Sequence, residues 1–213
     1  FNDVDMSADD AVGDENLKRE MGDGIDLTLR HHAKRFRMES SVYRYHMHDY
    51  VYFQATGEVL SGLPVAEYKQ ADARYLGAES RVEVALAQPL WLLLGFDAVD
   101  ANLTESRLNL PRIPPVRGRI GLDYHWKGLG LRPEMILTNR QPHVSPDETP
   151  TAGYGVLNLS ANYNWTTKHM MQTISANSFN LSDELYRNHL SFIKAYAPEI
   201  GRGIRFTYTI NWF

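Results

Sequence analysis

From Gly24 to the end of the chain, apolar residues recur at every second position in one run after another. The clearest run sets Val116, Gly118, Ile120, Leu122, Tyr124 and Trp126 on one face and Arg117, Arg119, Gly121, Asp123 and His125 on the other. Successive side chains of a strand point to opposite faces of a sheet, so this period of two makes each run a strand with one apolar side. Leu157, Leu159, Ala161, Tyr163 and Trp165 alternate with Asn158, Ser160, Asn162 and Asn164 in the same way. At the end, Ile204, Phe206, Tyr208, Ile210 and Trp212 stand opposite Arg205, Thr207, Thr209 and Asn211. No stretch carries a comparable helical period. The expectation is an all-β chain, an antiparallel meander of about nine strands near 24–33, 36–48, 68–86, 90–102, 116–126, 129–140, 154–165, 169–180 and 202–212.

The connections between these runs alternate in length. Short ones fall at Lys34-Arg35, Gln88-Pro89, Lys127-Gly128 and Thr166 to Lys168, and long ones at 49–67, 103–115, 141–153 and 181–201. Outer-membrane barrels sort their loops this way, with short periplasmic turns and long external loops. A soluble sandwich with Greek-key connections has no reason to do so. Trp91, Trp126, Trp165 and Trp212 all lie at the short-turn end, as an interfacial aromatic girdle requires. Nine strands would leave two unpaired edges in hydrocarbon, which a bilayer does not tolerate, and single-chain bacterial barrels have an even number. The nine strands are therefore read as part of a larger transmembrane β-barrel.

Composition closes off other classes. The chain of 213 residues has no Cys, which excludes a disulfide scaffold, a zinc finger and a thiol nucleophile. A net charge of -4 argues against nucleic acid as a partner. The mean hydropathy is -0.40 and the longest apolar run is Leu90 to Phe96, far short of the roughly 20 residues of a membrane helix. That says nothing against a barrel, whose alternating strands average to a polar value. Residues 1–23 hold eight acids against Lys18 and Arg19, a net -6 that leaves +2 for the rest. They read as an acidic external loop ahead of the barrel portion at 24–213, with one helical turn at most. The stretch from Phe1 shows neither a basic n-region nor an apolar h-region, as expected of a processed chain or a fragment.

Several segments resemble the TonB-dependent outer-membrane receptors. Gly13-Asp14-Glu15-Asn16-Leu17-Lys18-Arg19-Glu20 is similar to that family's G-[ND]-x-[ND]-L-K-x-E segment, with Glu15 and Arg19 where the family often has Pro. Gln70 to Glu79 resembles a recurrent strand with a small-residue kink before an acidic residue, and Asn109-Leu110-Pro111-Arg112-Ile113-Pro114-Pro115 a familiar lead into a strand. Tyr186 to Lys194, then Ala197 to Arg202 and the last run, resemble the final external loop and closing strand, particularly of a branch that includes zinc-uptake members. The final run departs from the usual terminal pattern, since Phe213 is one residue out of phase with Trp212, Ile210, Tyr208 and Phe206. The resemblance implies the C-terminal portion of a plugged barrel of about twenty-two strands. It also implies a Gram-negative outer-membrane location, assembly by the barrel-assembly machinery, contact with outer-membrane lipid, and coupling to the TonB complex through an N-terminal plug that this chain does not contain. The parent would import a metal chelate, a siderophore-like iron complex or zinc, or a similar nutrient.

Candidate chemistry falls in two places. Arg117, Arg119, Asp123, Arg132 and Glu134, with Arg81 and Glu83, stand opposite the apolar stripes and should face the lumen. Docking of a plug and plain lumen solvation are both open for them. His46-Met47-His48-Asp49 is the strongest metal-like cluster, because histidines two apart on a strand share a face and two imidazoles suit a borderline metal. His143 and His189 lie in external loops and could join across space. Two histidines alone do not make a site, and exposed ones are common in polar strands, so which metal, if any, stays unknown. If the pair binds transported metal, His46→Ala with His48→Ala should weaken uptake by the parent. No cofactor is expected, and no P-loop, His-Glu-x-x-His, Gly-x-Ser-x-Gly or helix-opening GxGxxG points to an enzyme. Two other classes stay in view: a small standalone outer-membrane barrel with a structural or adhesive role, and a soluble β-sandwich binding module.

Overall fold

The computed structural model describes residues 10–12, 16–60 and 62–213. Its strands are β1 (Asp10–Val12), β2 (Met21–His32), β3 (Phe36–Leu60), β4 (Leu63–Ala87), β5 (Leu90–Leu103), β6 (Arg117–Trp126), β7 (Leu129–Thr138), β8 (Tyr154–Thr167), β9 (Met170–Phe179) and β10 (Gly203–Trp212). Strands β2 to β10 form one sheet in sequence order, each antiparallel to the next. The order of nine follows from the period-two runs, and among the described residues there is no helix.

The short turns have local causes. Lys127 and Gly128 both take positive φ, 46° and 85°, the pair of left-handed conformations a two-residue type I′ hairpin turn demands. A Cβ at Gly128 would stand 2.3 Å from the Asn164 carbonyl oxygen, so the turn also needs the missing side chain. Inside the sheet, Pro133 lacks an N–H, and the β6–β7 ladder is interrupted there, between Gly121↔Glu134 and Tyr124↔Leu131.

Two segments differ from the reading of the sequence. The expected loop 49–67 is mostly strand: β3 and β4 each run for 25 residues and turn only around Gly62. At roughly 3.3 Å per residue each is about 80 Å long, and its 25 residues are more than twice the roughly 9–11 that cross a bilayer. Tyr50, Val51, Tyr52 and Phe53 supply aromatic and β-branched propensity, and Phe53 packs on Tyr68 across the ribbon at 5.4 Å. Gly57, with φ of 82°, lies in the register shift between Ala55 and Val59. Of the acidic stretch, residues 1–9 and 13–15 lie outside the described residues. Asp10–Val12 pairs in parallel with Val65–Glu67, on the edge of β4 that β5 leaves open above Ala73.

Directly paired residues share a face, so the registers sort the whole sheet. Leu27, Val42, Ala78 and Ala98 follow one another across β2 to β5, and Val82, Leu94, Ile120, Met135 and Leu157 across β4 to β8. This outward face carries Ile25 at 78%, Leu27 at 68% and Phe206 at 71% exposure, an apolar surface too continuous for a water-soluble sheet. Trp126, Trp165 and Trp212 face outward at the short-turn end, and Trp165 stacks near Tyr163 and Tyr208. Trp91 lies at that end but turns to the other face, where it pairs with Asp123 in register and its ring receives Arg37 at 4.6 Å. Phe213 lies beyond the last ladder pair, Trp212↔Met170.

The inner face is polar, and the long loops fold against it. Leu110, from the β5–β6 loop, is fully buried on Ala73, Ala101 and Leu103, with Met47, Tyr50 and Tyr75 around them. This small cluster is the nearest thing to a core, because a single-layer wall has no second layer to bury against.

Candidate functional site

On the inner face, arginines and carboxylates alternate across neighbouring strands and pair. Arg117 Nε donates to both oxygens of Asp97 at 3.1 Å, and Arg119 reaches the same carboxylate at 3.4 Å. Arg37 bonds Glu83 at 3.3 Å and Arg30 bonds Glu39 at 2.9 Å. Asp123 holds His125 at 2.8 Å one alternation along its own strand. Arg132 and Glu134 sit on the same face beside Ser160 and Asn158 in register. A cavity of about 500 Å³ opens here between Glu39, Tyr43, Arg81, Asp97, Arg117 and Arg119, roofed by Pro114, Pro115 and Leu190 from the loops. Period two alone sets these charges opposite the apolar stripe; the loop roof has no signature in the sequence.

The loops above are tied by one carboxylate. Glu148, between β7 and β8, accepts from Lys194 Nζ at 2.6 Å and from the backbone N–H of Arg112 at 3.2 Å, and so joins three loops. His189 lies against it, 2% exposed, with Nε2 at 3.3 Å from Glu148, an ion-pair distance without hydrogen-bond alignment. Its Nδ1 meets the Thr151 hydroxyl at 3.0 Å and Lys194 Nζ at 3.3 Å. Burial, and then the Lys194 charge, push His189 below the usual imidazole range against the opposing pull of Glu148. Arg112 lies over the Phe192 ring at 3.7 Å and closes the same unit.

The five residues singled out around the histidines do not converge. His189 is in the buried loop network, and His143 lines a second cavity of about 430 Å³ with Ile113 and Arg140. His46 and His48 do come together, ring centroids 4.4 Å apart, and their third partner is Asp72 of β4 rather than Asp49. His46 Nε2 and His48 Nδ1 each stand 3.4 Å from Asp72 Oδ2. Asp49 instead occupies the bulge between Met47 and Tyr50 with φ of 51°, and its N–H donates to Asp72 Oδ1 at 3.2 Å. That backbone bond, then the imidazoles, hold the Asp72 carboxyl below the usual carboxylate range. Alternation would have placed Asp72 on the right face, but only the register puts it opposite the histidines.

An antiparallel meander with an apolar outer stripe, an aromatic rim at the short turns, a charged inner face and long loops folded over it defines the wall of an outer-membrane barrel. The family of TonB dependent receptor-like β-barrels matches residues 2–181, and the chain belongs to it. The copper transporter OprC superposes with a TM-score of 0.83 at 21% identity, over 94% of this chain and 34% of that one. The ferric-catecholate import receptor Fiu from E. coli K12 matches with a TM-score of 0.64 at 16% identity, over 92% and 28%. The FrpB iron transporter from Neisseria meningitidis gives 0.67 at 15% identity, over 95% and 33%. At these identities the likeness is one of fold, and the chain spans about a third of each relative's length. Membership places it in the Gram-negative outer membrane, in a family of receptors.

Proposed function

We propose that this chain is the C-terminal part of the barrel of a TonB-dependent transporter that brings a metal complex across the outer membrane. The observation that carries the reading is the paired, charged lumenal wall around Asp97, Arg117 and Arg119 beneath a roof of knitted loops. A wall of that kind can hold a polar plug, because paired charges exchange partners at little cost in a wet lumen. On this reading Arg117, Arg119, Asp123, Arg132 and Glu134 face the plug, the expected external loop of residues 1–23 ends ahead of β2 because Met21 to Asp23 are already paired strand, and the TonB complex acts through the plug. The barrel-assembly machinery and outer-membrane lipid are the other partners. Structural relatives whose names state copper transport and ferric-catecholate import support a metal complex as cargo.

The test is uptake by cells carrying the complete receptor, with and without a functional TonB complex. Growth on limiting metal, supplied as copper salts or as ferric catecholate, should require both the receptor and TonB. Growth that is lost with the receptor but indifferent to TonB would contradict coupled transport. Growth indifferent to the receptor would remove these two cargoes.

A further inference from the structure

His46 and His48 flank Met47, whose side chain packs into the lumenal cluster with Ala73, so both imidazoles stand on the outer surface of the barrel. The apolar stripe on that surface ends just below them. Ile25 pairs with Arg44, and one alternation further Asp23 pairs with His46, a rise of about 7 Å. Arg74, the partner of His46 in register, is drawn aside to Asp100 at 3.5 Å. The cluster thus sits on the external side of the lipid band, outside the lumen, at the root of the long β3–β4 hairpin.

Its geometry is that of a ligand set. Two ligands at ~2.1 Å on the corners of a tetrahedron around zinc are roughly 3.4 Å apart. Asp72 Oδ2 keeps 3.4 Å to His46 Nε2 and 3.4 Å to His48 Nδ1. The other nitrogen of His48, Nε2, lies 3.3 Å from Asp23 Oδ2. A carboxylate on the far nitrogen is what orients an imidazole toward a metal and raises its basicity. With Asp23 on Nε2, the Nδ1 of His48 can meet Asp72 only through a second proton or a shared cation.

From this we infer that His46, His48 and Asp72 bind a borderline divalent ion such as Zn²⁺, with Asp23 orienting His48. The site is structural and separate from the transport path. The ion ties β3 to β4 directly and to β2 through Asp23, and Asp72 at the same time holds the Asp49 bulge through its other oxygen. It fixes the direction in which residues 49–67 leave the membrane. The inference stands on the barrel's geometry and not on the identity of any cargo.

The complete receptor, purified in detergent and stripped with chelator, should take up Zn²⁺ in a calorimetric titration, with one equivalent lost in His46→Ala/His48→Ala. Asp23→Asn should retain that equivalent with affinity lowered roughly 10–100-fold, the range for an orienting partner. An unchanged titration in the double variant would overturn the site. Should that variant fail to fold, Cu²⁺ bound to the unaltered receptor decides instead: its electron spin resonance should show coupling to two imidazole nitrogens. A spectrum without them, as expected if His48 is merely a cation between two carboxylates, would equally overturn it. Hydrogen exchange across 49–72 should slow when Zn²⁺ is added, and exchange that ignores bound Zn²⁺ would refute the hairpin role.

Discussion

At the residue scale, the burial of His189 has a consequence for pH. Its folded-state affinity for a proton is lowered, chiefly by burial, so below about pH 6.5 the opened loops bind protons that the closed ones refuse. Closure is therefore at full strength above that pH and weakens as pH falls from it toward the lowered folded value. The closed unit holds Lys194, Glu148 and Thr151 around the ring, so opening it exposes all three loops together. Corrected for the intrinsic pH dependence of amide exchange, the protection of segments 104–116, 139–153 and 180–202 should fall between pH 7.5 and pH 5, and His189→Gln should flatten the dependence. An unchanged pH response in that variant would assign the effect elsewhere. Neither Glu148 nor Lys194 could be found from the sequence, because they stand 46 residues apart in segments without periodicity. His46 and His48 were legible, since two histidines on one face of a strand are a local pattern. Asp72 and Asp23 were not, being supplied by neighbouring strands.

At the element scale, the alternation that identified the strands also sets what each position tolerates. Leu94 lies on the apolar outward face between Val82 and Ile120, the proposed lipid side, while Ser175 lies on the opposite face between Asn162 and Thr207. Leu94→Arg should destabilise the barrel by about 2–4 kcal/mol near the bilayer midplane, whereas Ser175→Arg should cost far less. Reversible denaturant unfolding in lipid checks both, and equal costs would contradict the assigned faces. The nine strands and four short turns were legible because alternation and the Lys127-Gly128 pair are local properties. The extension of β3 and β4 was not. On the proposed reading this part stands beyond the membrane, where no lipid imposes an apolar face, so the sequence there carries strand propensity without a clean period. Trp91 shows a related limit: height on the barrel follows from its distance to the turn, but its facing depends on pairing with Asp123.

At the scale of the whole molecule, the sheet ends on β2 and β10, and among the described residues neither has a partner on its outer edge. Such edges cannot stay open in hydrocarbon, so the wall is completed by further strands of the receptor. On the proposed reading this wall stands with its short turns inside, its long loops outside and its apolar stripe in lipid. This chain has no Cys, so a thiol introduced into it is unique within it, and the unaltered receptor gives the background for labelling. Leu185, 81% exposed in the long β9–β10 loop, and Lys127, in a short turn, would each be replaced by Cys in the complete receptor and treated with a membrane-impermeant maleimide on intact cells. Leu185→Cys should label at once, and Lys127→Cys only after the outer membrane is opened. Labelling of Lys127→Cys in intact cells, with Leu185→Cys protected until the membrane is opened, would reverse that orientation.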